Sequence, residues 1–161
     1  MTETQTLQLH RHIQAPPERV FKAFLDPAAM VKWNPPHGFV GIMHEHKGEV
    51  GGTYRMSFRN LGTGTEHSFG GKYVEITPHT RIRWTDAFDE SAGEEMQGEM
   101  IVTVDLEPTA IGTQVTITQE GLPAAMPKEF ATAGWQESLE LLEKLVVPDI
   151  PDAQVPIDGD G

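Results

Sequence analysis

Residues 127–146, PKEFATAGWQESLELLEKLV, decide the fold. Ala131, Gly134, Trp135, Ser138, Leu139, Leu142, Leu145 and Val146 recur at intervals of three and four, which places them on one face of a helix with a period of 3.6. That face has to be buried. Pro127 suits a first helical turn, where its missing N–H costs nothing, and Pro148 forbids continuation past Val146. Gly134 costs about 1 kcal/mol against Ala inside a helix, so it is expected to admit a neighbouring backbone or a bulky ligand beside the Trp135 ring. Nearly everything upstream reads as strand, and one long helix ending such a chain implies a sheet curved around it.

Outward from that helix, the strands are marked by alternation. Leu7, Leu9 and Ile13 face inward on a first strand, with Arg11 in phase with them; Arg11 is expected either to snorkel out to solvent or a surface carboxylate, or to contact an anion in a pocket. Ala15-Pro16-Pro17-Glu18 opens one short helix buried through Val20, Phe21 and Phe24, and Asp26-Pro27 opens a second through Met30 toward Trp33. Asn34-Pro35-Pro36 stops it. Two short helices cannot form a layer alone, but they can plug or lid one edge of a curved sheet. Val40, Ile42, His44 and His46 then share a strand face, and Tyr54, Met56 and Phe58 share the next across glycine-bearing residues 48–52. Val74 and Ile76 are out of phase with Phe69, which predicts a β-bulge at Gly70-Gly71. Ile82, Trp84 and Asp86 share one face; residues 89–98 read as an acidic exposed loop; Met100, Val102, Val104 and Leu106, then Val115, Ile117 and Gln119, complete the sheet. The order is strand, two short helices, about six antiparallel strands and one long helix, an α+β chain. Residues 7–147 are expected to form a single domain and 148–161, rich in Pro and Asp, a mobile acidic tail.

Composition narrows the function classes. A net charge of −12 in 161 residues argues against nucleic acid or an anionic membrane as partner, because both reward clustered Lys and Arg. The absence of Cys excludes a disulfide framework, thiolate catalysis and Cys-ligated zinc. No apolar run approaches the roughly 18 residues of a membrane span, and Met1 to Thr6 is polar, so a cytoplasmic location is expected.

A family resemblance emerges from motifs in series: Ala15-Pro16 with Val20-Phe21, Trp33 with Pro36, Gly51-Gly52-Thr53-Tyr54, Gly71-Lys72-Tyr73-Val74-Glu75-Ile76-Thr77-Pro78, Arg81-Ile82 with Trp84-Thr85, Gly112-Thr113 with Val115-Thr116, and Gly134-Trp135 with Leu139. In order and spacing, from about Leu7 to Leu145, they resemble the family related to the activator of the heat-shock-protein-90 ATPase, within the START-related, polyketide-cyclase-like superfamily. The resemblance implies the helix-grip fold, in which a curved antiparallel sheet grips the C-terminal helix around a cavity.

Such a cavity favours an apolar ligand with one or two polar groups. Trp33, Tyr54, Met56, Phe58, Phe69, Trp84, Met100, Phe130, Trp135 and Leu139 are its expected lining, and the bland reading is that they simply fill the core. Arg11, His44, His46, His67 and Asp86 are the polar groups that could enter it. His44, His46 and His67 could also suggest zinc, but no fourth ligand is specified and the resemblance implies no metal, so neither a metal nor a cofactor is expected. A buried carboxylate or His among Trp and Met would have the perturbed pKa that acid–base catalysis uses. No Ser-His-Asp order, phosphate loop or Cys nucleophile accompanies it. The reading is therefore a domain that binds a small, largely apolar molecule, with whether any reaction is catalysed left open and the absence of one favoured. A cyclase- or hydrolase-like enzyme is the alternative, and chaperone ATPase co-regulation the third. Monomer and homodimer both stay open, as do the ligand's identity and the strand phase after Gly70-Gly71.

Overall fold

The computed structural model describes residues 3–148. The chain runs β1 (Thr4–Ile13), α1 (Pro17–Leu25), α2 (Pro27–Trp33), β2 (Phe39–His46), β3 (Thr53–Asn60), β4 (Glu66–Thr77), β5 (Arg81–Phe88), β6 (Met100–Thr109), β7 (Gly112–Pro123) and α3 (Lys128–Val146). The seven strands form one antiparallel sheet ordered β1-β7-β6-β5-β4-β3-β2. Because β1 and β2 lie at opposite edges, the segment joining them must cross the sheet's full width, and α1 and α2 are that crossing. Asp26 separates them by capping α2, its carboxylate accepting from the Ala28 amide at 2.9 Å. The 148–161 tail lies, but for Pro148, outside the described residues.

Residues paired across antiparallel strands share a face, so the register defines two sides of the sheet. Leu7, Gln119, Val102 and Trp84 form one row of the inner face, and Leu9, Ile117, Val104 and Ile82 the next. Helix α3 lies on this side: its Trp135 indole donates to Gln119 at 2.9 Å, and Leu139 and Leu142 join the same buried core as Leu7 and Leu9. This is the curved sheet gripping one long helix that the alternation implied.

Three local expectations are corrected. The bulge is not at Gly70-Gly71, where the β3–β4 and β4–β5 registers run through unchanged; it lies between Tyr73 and Glu75. The two glycines instead allow neighbouring strands to close in, since a Cβ on Gly70 would stand 2.4 Å from the Tyr54 carbonyl oxygen and one on Gly71 2.0 Å from that of Thr85. Second, Val40, Ile42, His44 and His46 do not share one face. The β2–β3 register slips between Met43 and Glu45, making His44 the extra residue: Ile42 pairs with Ser57 outside, while Met43 and His46 pair with Met56 and Tyr54 inside. Third, the buried stripe of α3 is rotated. Ser138, Leu139, Leu142 and Val146 are buried, but Gly134 is exposed with open space where its Cβ would be, and Leu145 is 38% exposed. The cause is a second neighbour: the Ser138 hydroxyl donates to the Asn34 carbonyl at the end of α2 and the Arg19 guanidinium of α1 to the Val146 carbonyl, each at 2.8 Å. Leu141 is partly buried against the core, whereas Leu145, one turn further on, is exposed.

Candidate functional site

The inner face of β2–β5 lies beyond the strand that α3 covers most closely. Across it, His46, Tyr54, Gly71 and Asp86 stand in one row, with Met100 opposite Asp86 on β6. Gly71 has no side chain to come between Tyr54 and Asp86, so the Tyr54 hydroxyl reaches across β4 and donates to Asp86 Oδ1 at 2.9 Å. Phe69 and Phe88 form a pair in the next row, beside Met56. On the other side of the polar row, Tyr73 pairs with Trp84. Their ring centroids are 6.3 Å apart, those of Tyr54 and Tyr73 5.8 Å and those of Phe58 and Phe69 4.9 Å.

Electrostatics follow from this setting. Desolvation pushes the Asp86 carboxyl up from its ordinary 3.8 to about 7, against the opposing hydrogen bonds from Tyr54 and the Ala87 amide. Asp86 nevertheless keeps some contact with solvent. Burial, followed by the Asp86 charge, drives the Tyr54 hydroxyl well above its usual range, and burial alone raises Tyr73. His46, whose Nε2 lies 3.1 Å from the Tyr73 hydroxyl, is lowered by burial against the attraction of Asp26. Near neutral pH the floor therefore carries neutral Tyr and His side chains beside one carboxyl poised between its two states.

The ten residues expected to line a cavity are not all brought together. Tyr54, Met56 and Met100 are buried on the inner face; Phe58, Phe69, Trp84 and Trp135 are half-buried. Leu139 is buried on the core-facing side of α3. Trp33 is 2% exposed, with its indole donating to the Ala23 carbonyl at 2.9 Å inside the α1–α2 plug. Phe130 is 70% exposed on the first turn of α3, and this corrects its expected place in the lining. Of the polar groups, Asp86 and His46 enter the inner face. Arg11 faces inward too, but its guanidinium bonds Glu143 of α3 at 2.6 Å. His44 is exposed and 2.7 Å from the Ser57 hydroxyl on the outer side, and His67 is exposed at the rim against Phe39. The three histidines consequently do not converge, and no cluster suited to a metal ion occurs among the described residues. Tyr73, Phe88 and Met43 were missed by sequence reasoning. Phe88 simply continues the Trp84, Asp86 alternation; Met43 and Tyr73 were hidden by the bulges.

Trp135 joins the helix to this floor, because Gln119, which accepts from its indole, donates from Nε2 to Met100 Sδ at 3.2 Å. Trp135→Ala is expected to cost about 2–3 kcal/mol in urea melts, below the 3–5 of a fully buried Trp since part of the ring is already wet. Retention of full stability would place the Trp135–Gln119 contact outside the cooperative core.

A seven-stranded curved sheet holding a long C-terminal helix, with two short helices across its open side, defines a helix-grip protein of the START-related superfamily. Residues 14–147 match the family described as activator of Hsp90 ATPase homolog 1-like protein, and the chain belongs to that family. Among solved structures, protein CV1439 of Chromobacterium violaceum is 49% identical, with a TM-score of 0.85 over 89% of this chain and 98% of that one. A Rhodobacter sphaeroides protein at 21% identity (TM-score 0.76; 89% and 97% covered) and one from Rhizobium leguminosarum at 24% (0.72; 91% and 96%) share the fold. No curated protein matches the sequence. No helix among the described residues is long and apolar enough to cross a membrane.

Proposed function

We propose that the protein binds a small, largely apolar molecule on the inner face of β2–β5. The observation that carries this is the ring of half-buried Phe58, Phe69, Trp84 and Phe88 around a buried floor, on a face that α3 leaves partly open. Half-exposed aromatics grouped on one face are costly unless something covers them. Membership of a superfamily that commonly binds hydrophobic ligands supports the same reading. A neutral naphthalene fluorophore, N-phenyl-1-naphthylamine, is expected to bind saturably at one site per chain. Hiding ~200 Å² of apolar surface at about 25 cal/mol per Å² yields ~5 kcal/mol before association costs, so micromolar or weaker affinity is expected. Phe69→Trp, which fills the opening, should weaken binding about tenfold, a loss of ~1.4 kcal/mol. Arg55→Ala, which removes a rim ion pair with Asp89, should leave binding unchanged. No saturable binding, or sensitivity of Arg55→Ala alone, would overturn the reading.

One observation favours a second reading, an acid–base enzyme. Tyr54 and Asp86 are within hydrogen-bond reach, and a carboxyl titrating near 7 is matched to proton transfer at neutral pH. Chaperone co-regulation draws on the family description alone.

A further inference from the structure

The register permits a census of charge on the inner face. Among the described residues of all seven strands, Asp86 is the one acid facing inward and Arg11 the one Lys or Arg. They do not meet: Arg11 is on edge strand β1, bound to Glu143, whereas Asp86 lies on β5 with Tyr54 as its side-chain partner. Among the described residues no Lys or Arg forms an ion pair with Asp86, which is thus a carboxylate beside rings without a protein counter-ion there. Beside it, residues 89–99 join β5 to β6 and carry Asp89, Glu90, Glu94, Glu95 and Glu99 without a Lys or Arg. Arg55 offsets only Asp89, at 3.4 Å. The rim and the floor therefore have the same sign.

Resting on the ligand-binding reading above, we infer that the molecule held here carries a cationic amine, its ammonium group seated on Asp86 beside the rings of Tyr54 and Trp84 and its apolar body against Phe69 and Phe88. The chemistry fits on three counts. An ammonium supplies the counter-charge that the fold withholds from Asp86, and it makes a charge-assisted hydrogen bond to the oxygen not engaged by Tyr54. Ring faces carry negative potential and attract a desolvated cation. An acidic rim concentrates cations at the opening and repels anionic molecules of similar shape, such as fatty acids. The raised proton affinity of Asp86 agrees, since it is what a buried carboxylate acquires when its cation is missing.

The test uses two probes of nearly equal shape, 2-(1-naphthyl)ethylamine and 2-(1-naphthyl)ethanol, titrated calorimetrically into the full chain at about pH 8, where Asp86 is mostly ionised. The amine is expected to bind about tenfold more tightly than the alcohol. In Asp86→Asn the preference should fall to within about twofold; in Tyr54→Phe, which retains the carboxylate, it should persist. If the alcohol binds wild type as well as the amine does, the amine inference fails while the ligand-binding reading stands. A preference lost in Tyr54→Phe but kept in Asp86→Asn would assign head-group reading to the phenol and likewise overturn it. If neither probe binds, both fail.

Discussion

Asp86→Asn is expected to stabilise the protein by roughly 2–4 kcal/mol at about pH 8 and to leave it nearly unchanged at about pH 4. Burial raises the carboxyl from 3.8 to about 7, so the folded state binds this proton more tightly than the unfolded one. Below the unfolded value both states are protonated and the group is neutral to stability. As pH rises from about 4 to about 7, the unfolded chain releases the proton first, and wild-type stability falls across that window. At 1.36 kcal/mol per decade the full difference is ~4 kcal/mol, reduced to the extent that solvent still reaches the side chain. Asn keeps an acceptor for the Tyr54 hydroxyl and has no charge to desolvate. Urea melts at several pH values would measure the effect. Parallel pH profiles for wild type and Asp86→Asn would mean that Asp86 titrates normally, which would remove the support it gives to the acid–base reading.

Trp33→Ala is expected to cost 3–5 kcal/mol, the range for emptying a large buried aromatic site. Three contributions converge at this residue. The side chain is almost fully buried, its ring packs edge-on against Phe24 with centroids 4.9 Å apart, and its indole satisfies the Ala23 carbonyl. Its loss would leave that carbonyl unpaired and separate α1 from α2, the plug that crosses from β1 to β2. Trp33→Phe keeps most of the packing and should cost only about 1–2 kcal/mol, the lost hydrogen bond and a small void. A Trp33→Ala loss under 1 kcal/mol in the same melts would show that the plug is not part of the cooperative unit.

The helix-grip architecture was legible because its signals are local and repeated. The Pro-marked α1 and α2, the alternations of Tyr54, Met56, Phe58 and of Met100, Val102, Val104, Leu106, and the long period of α3 each needed only neighbouring residues to be recognised. The site was legible in part for the same reason: Tyr54, Asp86 and Trp84 follow from alternation alone. His44, Tyr73 and Met43 were not, because one extra residue in a strand reverses every side chain beyond it and nothing local marks where it falls. Gly70-Gly71 resembled a bulge in one dimension; in three it is a place where backbones approach.

By itself, then, the sequence determined the element order, the class of fold and the apolar composition of the inner face, because periodicity and chain punctuation are encoded residue by residue. Only the tertiary structure decided which side chains meet. The Tyr54–Asp86 contact depends on a glycine on the strand between them, and the solitude of Asp86 on Arg11 being engaged by Glu143 at the far edge. The stripe that α3 buries depends on α2 packing beside it. Those are relations between segments distant in the chain, set by register and packing, and no local pattern carries them.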